Sequence, residues 1–210
     1  MDNVVIRKGR IEDADHFSQL VLIAVPELLS YVFGSKTKDI MKNLFQDTEN
    51  YWSFKHTYFV EVDDDIVGMA LGYSYRQRKQ EEERTGELVV KYLEGSSHEE
   101  LPNPRVAEIT EKIEENEYYV MYLAVYPKFR RLGIGTKLFA VIEEEARKTG
   151  YNRVVFDVET DNTEAIKLYE RLGYSIVSRS PVVETSVKNF EFFKMGRDYR
   201  LPIHKVEEQL

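Results

Sequence analysis

A short apolar run, Val4-Val5-Ile6 ahead of Arg7, predicts a first strand. Asp13 or Asp15 then opens an amphipathic helix. Pro26 must end or kink it, because proline lacks an N–H and clashes with the preceding turn. Residues 36–45 carry a second helical pattern. Residues 57–62 and 66–73 flank Asp63-Asp64-Asp65, which predicts a hairpin. Residues 76–116 are charged and mostly helix-prone, broken by Pro102 and Pro104, and read as an insertion: a lid, a partner surface or a mobile segment. Beyond it, residues 119–125 are almost continuously apolar, as in a strand covered on both faces. Ile134, Leu138, Val141 and Ile142 recur at helical spacing, with Gly150 as the stop. Residues 154–158 read as another central strand. Asp161 with Glu164 has the form of a capping box, ahead of a stripe of Ala165, Leu168, Tyr169 and Leu172 that Gly173 closes. Further strands are expected at 174–178 and 187–194. Strand–helix–strand crossovers of this length imply parallel neighbours. The pattern predicts an α/β fold with a mixed sheet, in one domain over residues 1–210, with a tail from about 199.

Composition narrows this. Hydrophobic residues make up 42% of the chain, enough for a core, and the absence of cysteine excludes disulfides, thiolate metal sites and a cysteine nucleophile. No apolar run approaches the ~20 residues that cross a bilayer, and the start of the chain lacks a basic region followed by an apolar stretch. A cytoplasmic protein without a membrane partner is expected. With 37 acidic against 29 basic residues and a net charge of −8, a nucleic-acid partner is disfavoured. The acidic runs at 61–65, 81–83 and 114–117 read as solvated faces, or as a field that draws cationic amines.

One turn breaks the acidic trend. Between the strand ending at Val125 and the next helix stand Lys128, Arg130, Arg131 and Lys137, around Gly133-Ile134-Gly135-Thr136. Glycines spaced by one residue let a ligand approach the backbone. The helix they open has no Ser, Asp or Asn to occupy its free N–H groups, which leaves an anion site. The same residues could also form a plain strand-to-helix turn with surface cations. A dinucleotide site needs a third glycine where Leu138 stands, and the nucleotide P-loop pattern is not met.

Arg130-x-x-Gly133-x-Gly135 resembles motif A of the GNAT N-acetyltransferases. Asn162-x-x-Ala165-x-x-Leu168-Tyr169 with Leu172-Gly173-Tyr174 is similar to their second motif. Ile6-Arg7 and Glu12-Asp13 are similar to the family's first strand and helix start. The resemblance implies a mixed sheet of six to seven strands flanked by helices, with a helical insert before the motif-A strand. It also implies acetyl-CoA as donor and no metal. The pyrophosphate would rest on the backbone of Arg131, Leu132, Gly133, Ile134, Gly135 and Thr136, with Arg130 at the mouth. The pantetheine arm would pair with Leu123, Ala124 and Val125, and Asn162 would contact it farther along.

Transfer to an amine requires a proton acceptor, a donor for the carbonyl oxygen and an acid for the departing thiolate. A backbone N–H of the Leu123–Val125 strand could serve the oxygen. Resemblance points to Tyr169 as the acid, although Tyr169 also lies on the apolar face of its helix and could simply pack. For the base, the motif-A strand lacks the carboxylate some relatives carry. Asp157 matches the position used by bacterial ribosomal-protein N-terminal acetylases, with Asp for their Glu and Glu159 where they tend to place arginine. Glu117 or a water relay stay open. The four histidines show no metal-ligand spacing, and the aromatic residues around Trp52 read as core. Two functions follow: an acetyl-CoA-dependent N-acetyltransferase acting on a small-molecule amine, a protein N-terminus or lysine, or a coenzyme-binding regulatory module without catalysis. A homodimer stays open.

Overall fold

The computed structural model describes residues 3–93 and 113–199. Seven strands form one mixed sheet in the order β1-β2-β3-β4-β5-β9-β6. They are β1 (Val4–Lys8), β2 (Thr57–Val62), β3 (Asp65–Ser74), β4 (Glu117–Val125), β5 (Arg153–Glu159), β6 (Ser175–Arg179) and β9 (Phe192–Asp198). A separate two-stranded hairpin joins β7 (Val183–Glu184) to β8 (Asn189–Phe190). All neighbours are antiparallel except β4 and β5. The mixed α/β sheet expected from the sequence is the observed one.

Helices cover both faces. On one side lie α1 (Ala14–Ala24), α2 (Pro26–Phe33), α3 (Thr37–Gln46) and α4 (Tyr75–Leu93). They bury Phe17, Leu20, Phe33, Ile40, Phe45 and Leu88 with Trp52 against Phe59, Met69, Tyr119 and Tyr122. On the other lie α5 (Ile134–Lys148) and α6 (Thr163–Arg171). Ile134, Leu138, Phe139, Ile142 and Ala146 of α5, spaced for one helical stripe, pack on Tyr118, Val120, Val154 and Phe156. Pro26 stands at the first position of α2, where its missing N–H costs nothing, so the chain breaks at Val25 and turns.

Several expectations change. The first part of the 76–116 segment is the helix α4, which buries Thr85, Leu88 and Leu93 in the core. Its remainder, with Pro102 and Pro104, falls at 94–112, outside the described residues, as does the tail beyond residue 199. The strand expected at 187–194 is two pieces. Val187 lies exposed in the hairpin turn, Asn189 and Phe190 pair with β7, and β9 begins only at Phe192. Between them Glu191 turns out to meet Arg179 and Thr160, which interrupts the run. That displaced strand also corrects the parallel-neighbour rule: β9 inserts between β5 and β6, antiparallel to both. Finally, α6 is capped by Asn162, whose side chain accepts from the Ala165 N–H, and not by Asp161.

Candidate functional site

The sheet opens at one place. β4 and β5 pair only at Glu117–Arg153, Tyr118–Val154 and Tyr119–Val155. Past these residues the two strands part, so the β4 edge facing β5 from Val120 onward has no strand partner among the described residues. A backbone edge without partners is a ready template for an extended chain. β4 also carries a bulge there: Leu71 pairs with Tyr122 but Gly72 with Val120, which leaves Met121 as the extra residue. A bulge residue has no place in the ladder, so its amide can point elsewhere. The unbroken apolar run of residues 119–125 gives no sign of this change of phase.

A cleft of about 100 Å³ fills the gap. Its walls are Val120, Met121, Tyr122 and Leu123 of β4 facing Phe156, Asp157, Val158 and Glu159 of β5. Ala24 and Val25 at the α1–α2 break, with Phe192, close one end. Phe139, Asn162 and Tyr169 close the other. The cleft therefore passes between the strands from the α1 face to the α5–α6 face.

Asp157 and Tyr169, expected as base and acid, meet in this cleft from opposite faces of the sheet. Alternation along β5 sends Val154, Phe156 and Val158 toward α5, and Asp157 toward the α1 face together with Val155. The Asp157 carboxylate accepts a hydrogen bond from the Tyr119 hydroxyl at 2.7 Å. Tyr169 reaches in from α6, edge-on to Phe156 at 4.4 Å and to Phe139 at 5.3 Å between ring centroids. Its hydroxyl forms no hydrogen bond to any described residue. Burial raises its pKa to about 12, so it holds its proton at neutral pH.

At the end of β4 the chain turns through Pro127–Phe129 into the basic loop. Arg131 and Gly133 both adopt positive φ, 63° and 76°, and Gly133 is the N-cap of α5 with no side-chain cap. The N–H groups of Ile134, Gly135 and Thr136 thus begin α5 without intrahelical partners, at the positive end of its dipole. A Cβ on Gly135 would meet only the tips of Leu123 and Leu168, at 3.8 and 3.9 Å. Lys128, Arg130, Arg131 and Lys137 all lie exposed around this turn. Arg130 donates to the Val125 carbonyl at 3.2 Å, and Arg131 reaches Glu164 at 3.5 Å. Leu123, Val125 and the half-exposed Leu132 follow the same path from cleft to loop, with Ala124 turned into the opposite core. Asn162 borders the cleft with its side-chain oxygen engaged in the cap.

Glu117 is in the wrong place for a base. It starts β4 at the paired end, 1% exposed, with Lys194 at 2.8 Å and Arg153 at 3.2 Å. It is a buried ion-pair partner, away from the cleft. Two features were not visible in the sequence. Lys188, in the β7–β8 hairpin, joins Glu159 on the cleft wall to Glu27 of α2 at 3.0 Å and Asp161 at 3.7 Å. Partial burial would lower its pKa, but the hydrogen bonds it donates to Glu159 and Glu27 hold it above the ordinary lysine range. Lys188 lies more than 20 residues from each of these partners, and no spacing rule connects it to them. The second is a larger hollow of about 520 Å³ at the other end of the sheet, between Ser74, Gln77, Asn116 and Tyr151. It contains none of the expected residues and borders the segment outside the described residues, so its size carries no functional weight. Among the described residues, no three His, Cys, Asp or Glu side chains gather as for a metal ion, and no single helix is long and apolar enough to cross a membrane.

Comparison with known proteins agrees with this geometry. The chain is 36% identical over 64 residues to the Probable N-acetyltransferase san of Drosophila melanogaster, a stretch spanning 30% of this chain and about a third (35%) of that relative. It is 27% identical over 177 residues to an N-alpha-acetyltransferase of Sulfurisphaera tokodaii, covering 82% of this chain and 80% of the relative. The crystal structure of an N-acetyltransferase from Staphylococcus aureus Mu50 superposes with a TM-score of 0.64 at 21% identity, over 90% of this chain and 99% of that one. The model of the Acetyltransferase (GNAT) family matches residues 26–174, which includes the parting strands, the basic turn and α6. The chain belongs to the GNAT acetyltransferase family.

Proposed function

We propose that this protein is an acetyl-CoA-dependent N-acetyltransferase that acts on a primary amine, with a peptide N-terminus as the leading acceptor class. The observation that carries the reading is the cleft between β4 and β5, with Asp157 and Tyr169 on its two sides and the uncapped start of α5 beyond its rim. Residues Arg131–Thr136 would hold the pyrophosphate through backbone N–H groups, which suits the glycines and the uncapped helix. The unpaired edge of β4 from Val120 to Val125 would take the pantetheine arm as an added strand. Acetyl-CoA supplies the thioester carbonyl that a neutral amine attacks; the C–N bond forms and the C–S bond breaks. Asp157 takes the proton the amine gives up. The Met121 amide, released from the ladder by the bulge, would donate to the carbonyl oxygen as it gains charge. Tyr169 gives its proton to the departing sulfur. The N-alpha-acetyltransferase relative favours an α-amine acceptor, which would enter past Ala24, Val25 and Phe192. A net charge of −8 argues against nucleic acid, and we place the reaction in the cytoplasm.

The test is release of CoA thiol from acetyl-CoA in the presence of short peptides with free or blocked N-termini, with spermidine as a small cationic amine. Release with free N-termini and none with blocked peptides is expected. Binding of acetyl-CoA without thiol release to any amine would instead support a coenzyme-binding module.

A further inference from the structure

We propose that Tyr119 is a positioning residue for acetyl transfer, fixing the Asp157 carboxylate on the cleft wall by a hydrogen bond from β4 across the parting of the strands. The inference rests on the assignment of Asp157 as base. Tyr119 and Val155 are the last pair that joins β4 to β5, so the Tyr119 ring stands where the cleft begins. Its hydroxyl reaches Asp157 Oδ2, two residues farther along β5, at 2.7 Å. The tyrosine is 9% exposed and its ring is held 5.7 Å from that of Tyr73, so the donor has little freedom to leave. Burial, and then the negative charge of Asp157, push the Tyr119 hydroxyl well above its ordinary pKa. It is therefore a permanent donor, and a permanent donor favours the ionised carboxylate.

Several further groups of the described residues stand around Asp157. From β9, Lys194 is its register partner, and this lysine is also bonded to buried Glu117, which Arg153 neutralises on its other side. From β4, Tyr122 shares the cleft and receives the Trp52 N–H at 3.3 Å. From α6, Tyr169 is neutral. Glu159, next on the same face of β5, is matched by Lys188. Ala24 and Val25 at the end of α1 bring no charge. Tyr119 is thus a neutral donor that holds the Asp157 carboxylate in one orientation and favours its ionised form. A tyrosine in an apolar strand gives no such signal in sequence, since packing explains it equally well.

The experiment is a pH titration of the Asp157 side-chain carboxyl by ¹³C NMR in the whole protein and in Tyr119→Phe, assigned by the signal missing in Asp157→Asn. Loss of one hydrogen bond to a carboxylate should raise the Asp157 pKa by roughly one unit or more. The acidic limb of thiol release with a free N-terminal peptide should move up by the same amount, with acetyl-CoA affinity unchanged. An unshifted Asp157 in Tyr119→Phe overturns the proposal. So does a shifted carboxyl with an unmoved pH profile. If Asp157→Asn keeps full turnover, the base assignment itself fails; if it is inactive while Tyr119→Phe is unshifted, only the role of Tyr119 falls.

Discussion

The two glycines of the basic turn should fail in opposite ways. Gly135 is the second residue of α5 and its added Cβ would find ordinary contact, 3.8 Å from Leu123 and 3.9 Å from Leu168. Valine there regains a few tenths of a kcal/mol in helix propensity and displaces only two leucine tips, so folding stability should change by less than about 1 kcal/mol. Its branched side chain would nevertheless stand over the N–H groups proposed to hold the pyrophosphate. Each charge-assisted hydrogen bond of that kind contributes about 1.5–3 kcal/mol, so loss of one weakens acetyl-CoA binding by roughly 10- to 100-fold, and loss of two by more. Gly133 has open space around its Cβ but a φ of 76°. Alanine there meets no atom and strains the backbone, costing roughly 1–2 kcal/mol, or about 2–8 °C in melting temperature for a chain of this size. Calorimetric titration with acetyl-CoA and thermal unfolding, run on both variants, separate the two effects. Gly135→Val with unchanged affinity, or with a collapse in stability as large as that of Gly133→Ala, would refute the anion-site reasoning.

Other consequences can be checked more briefly. Tyr169→Phe should keep its packing on Phe156 and Phe139 and its acetyl-CoA affinity, while kcat in the thiol-release assay falls about 100-fold; unchanged kcat would reduce Tyr169 to a packing residue. Leu88→Ala should cost about 2–5 kcal/mol in denaturant unfolding, since α4 buries this side chain completely; a negligible loss would mean the helix only rests on the surface. Arg7 binds both Asp13 and Glu61 at 2.7 Å, and Arg7→Met should cost about 3 kcal/mol by leaving two carboxylates unpaired. Burial alone would raise the Asp13 pKa, but hydrogen bonds from Arg7 and the Arg10 N–H hold it below the ordinary carboxylate value. Its contribution is therefore complete above about pH 4 and lost as pH falls through the depressed folded-state pKa. Asp13→Asn should be less stable than the parent at neutral pH and converge with it in acid; a constant difference across that range would contradict the pairing.

Most elements could be read from the chain because their signals are local. Helical spacing located α1, α3, α5 and α6, and the hairpin at Asp63–Asp65 joined β2 to β3 as expected. The turn after Val125 was legible for a similar reason, since glycine and missing caps are themselves the chemistry. What could not be read depended on contacts distant in sequence. Phe190 and Phe192 alternate with Glu191 as in one strand on paper, but each answers to a different partner strand. The bulge at Met121 comes from the register with β3, which a uniformly apolar strand does not encode. Asp157 and Tyr169 could be named separately by resemblance. Their meeting depends on the strands parting after Tyr119, a property of the folded sheet. Asp157 is the favoured base in the sequence and Glu117 only an open alternative; the ion pairs of Glu117 with Lys194 and Arg153 depend on contacts that no local pattern encodes.

Acetyl-CoA is proposed to lie along the open edge of β4 with its pyrophosphate on the start of α5. Addition of acetyl-CoA to ¹⁵N-labelled protein, followed by amide chemical shifts, tests both the binding and its place. The account predicts saturable changes concentrated at Met121–Val125 and Arg131–Thr136. Changes centred instead on Ser74, Tyr151 and Asn152 at the opposite end of the sheet, or no changes at millimolar acetyl-CoA, would contradict it.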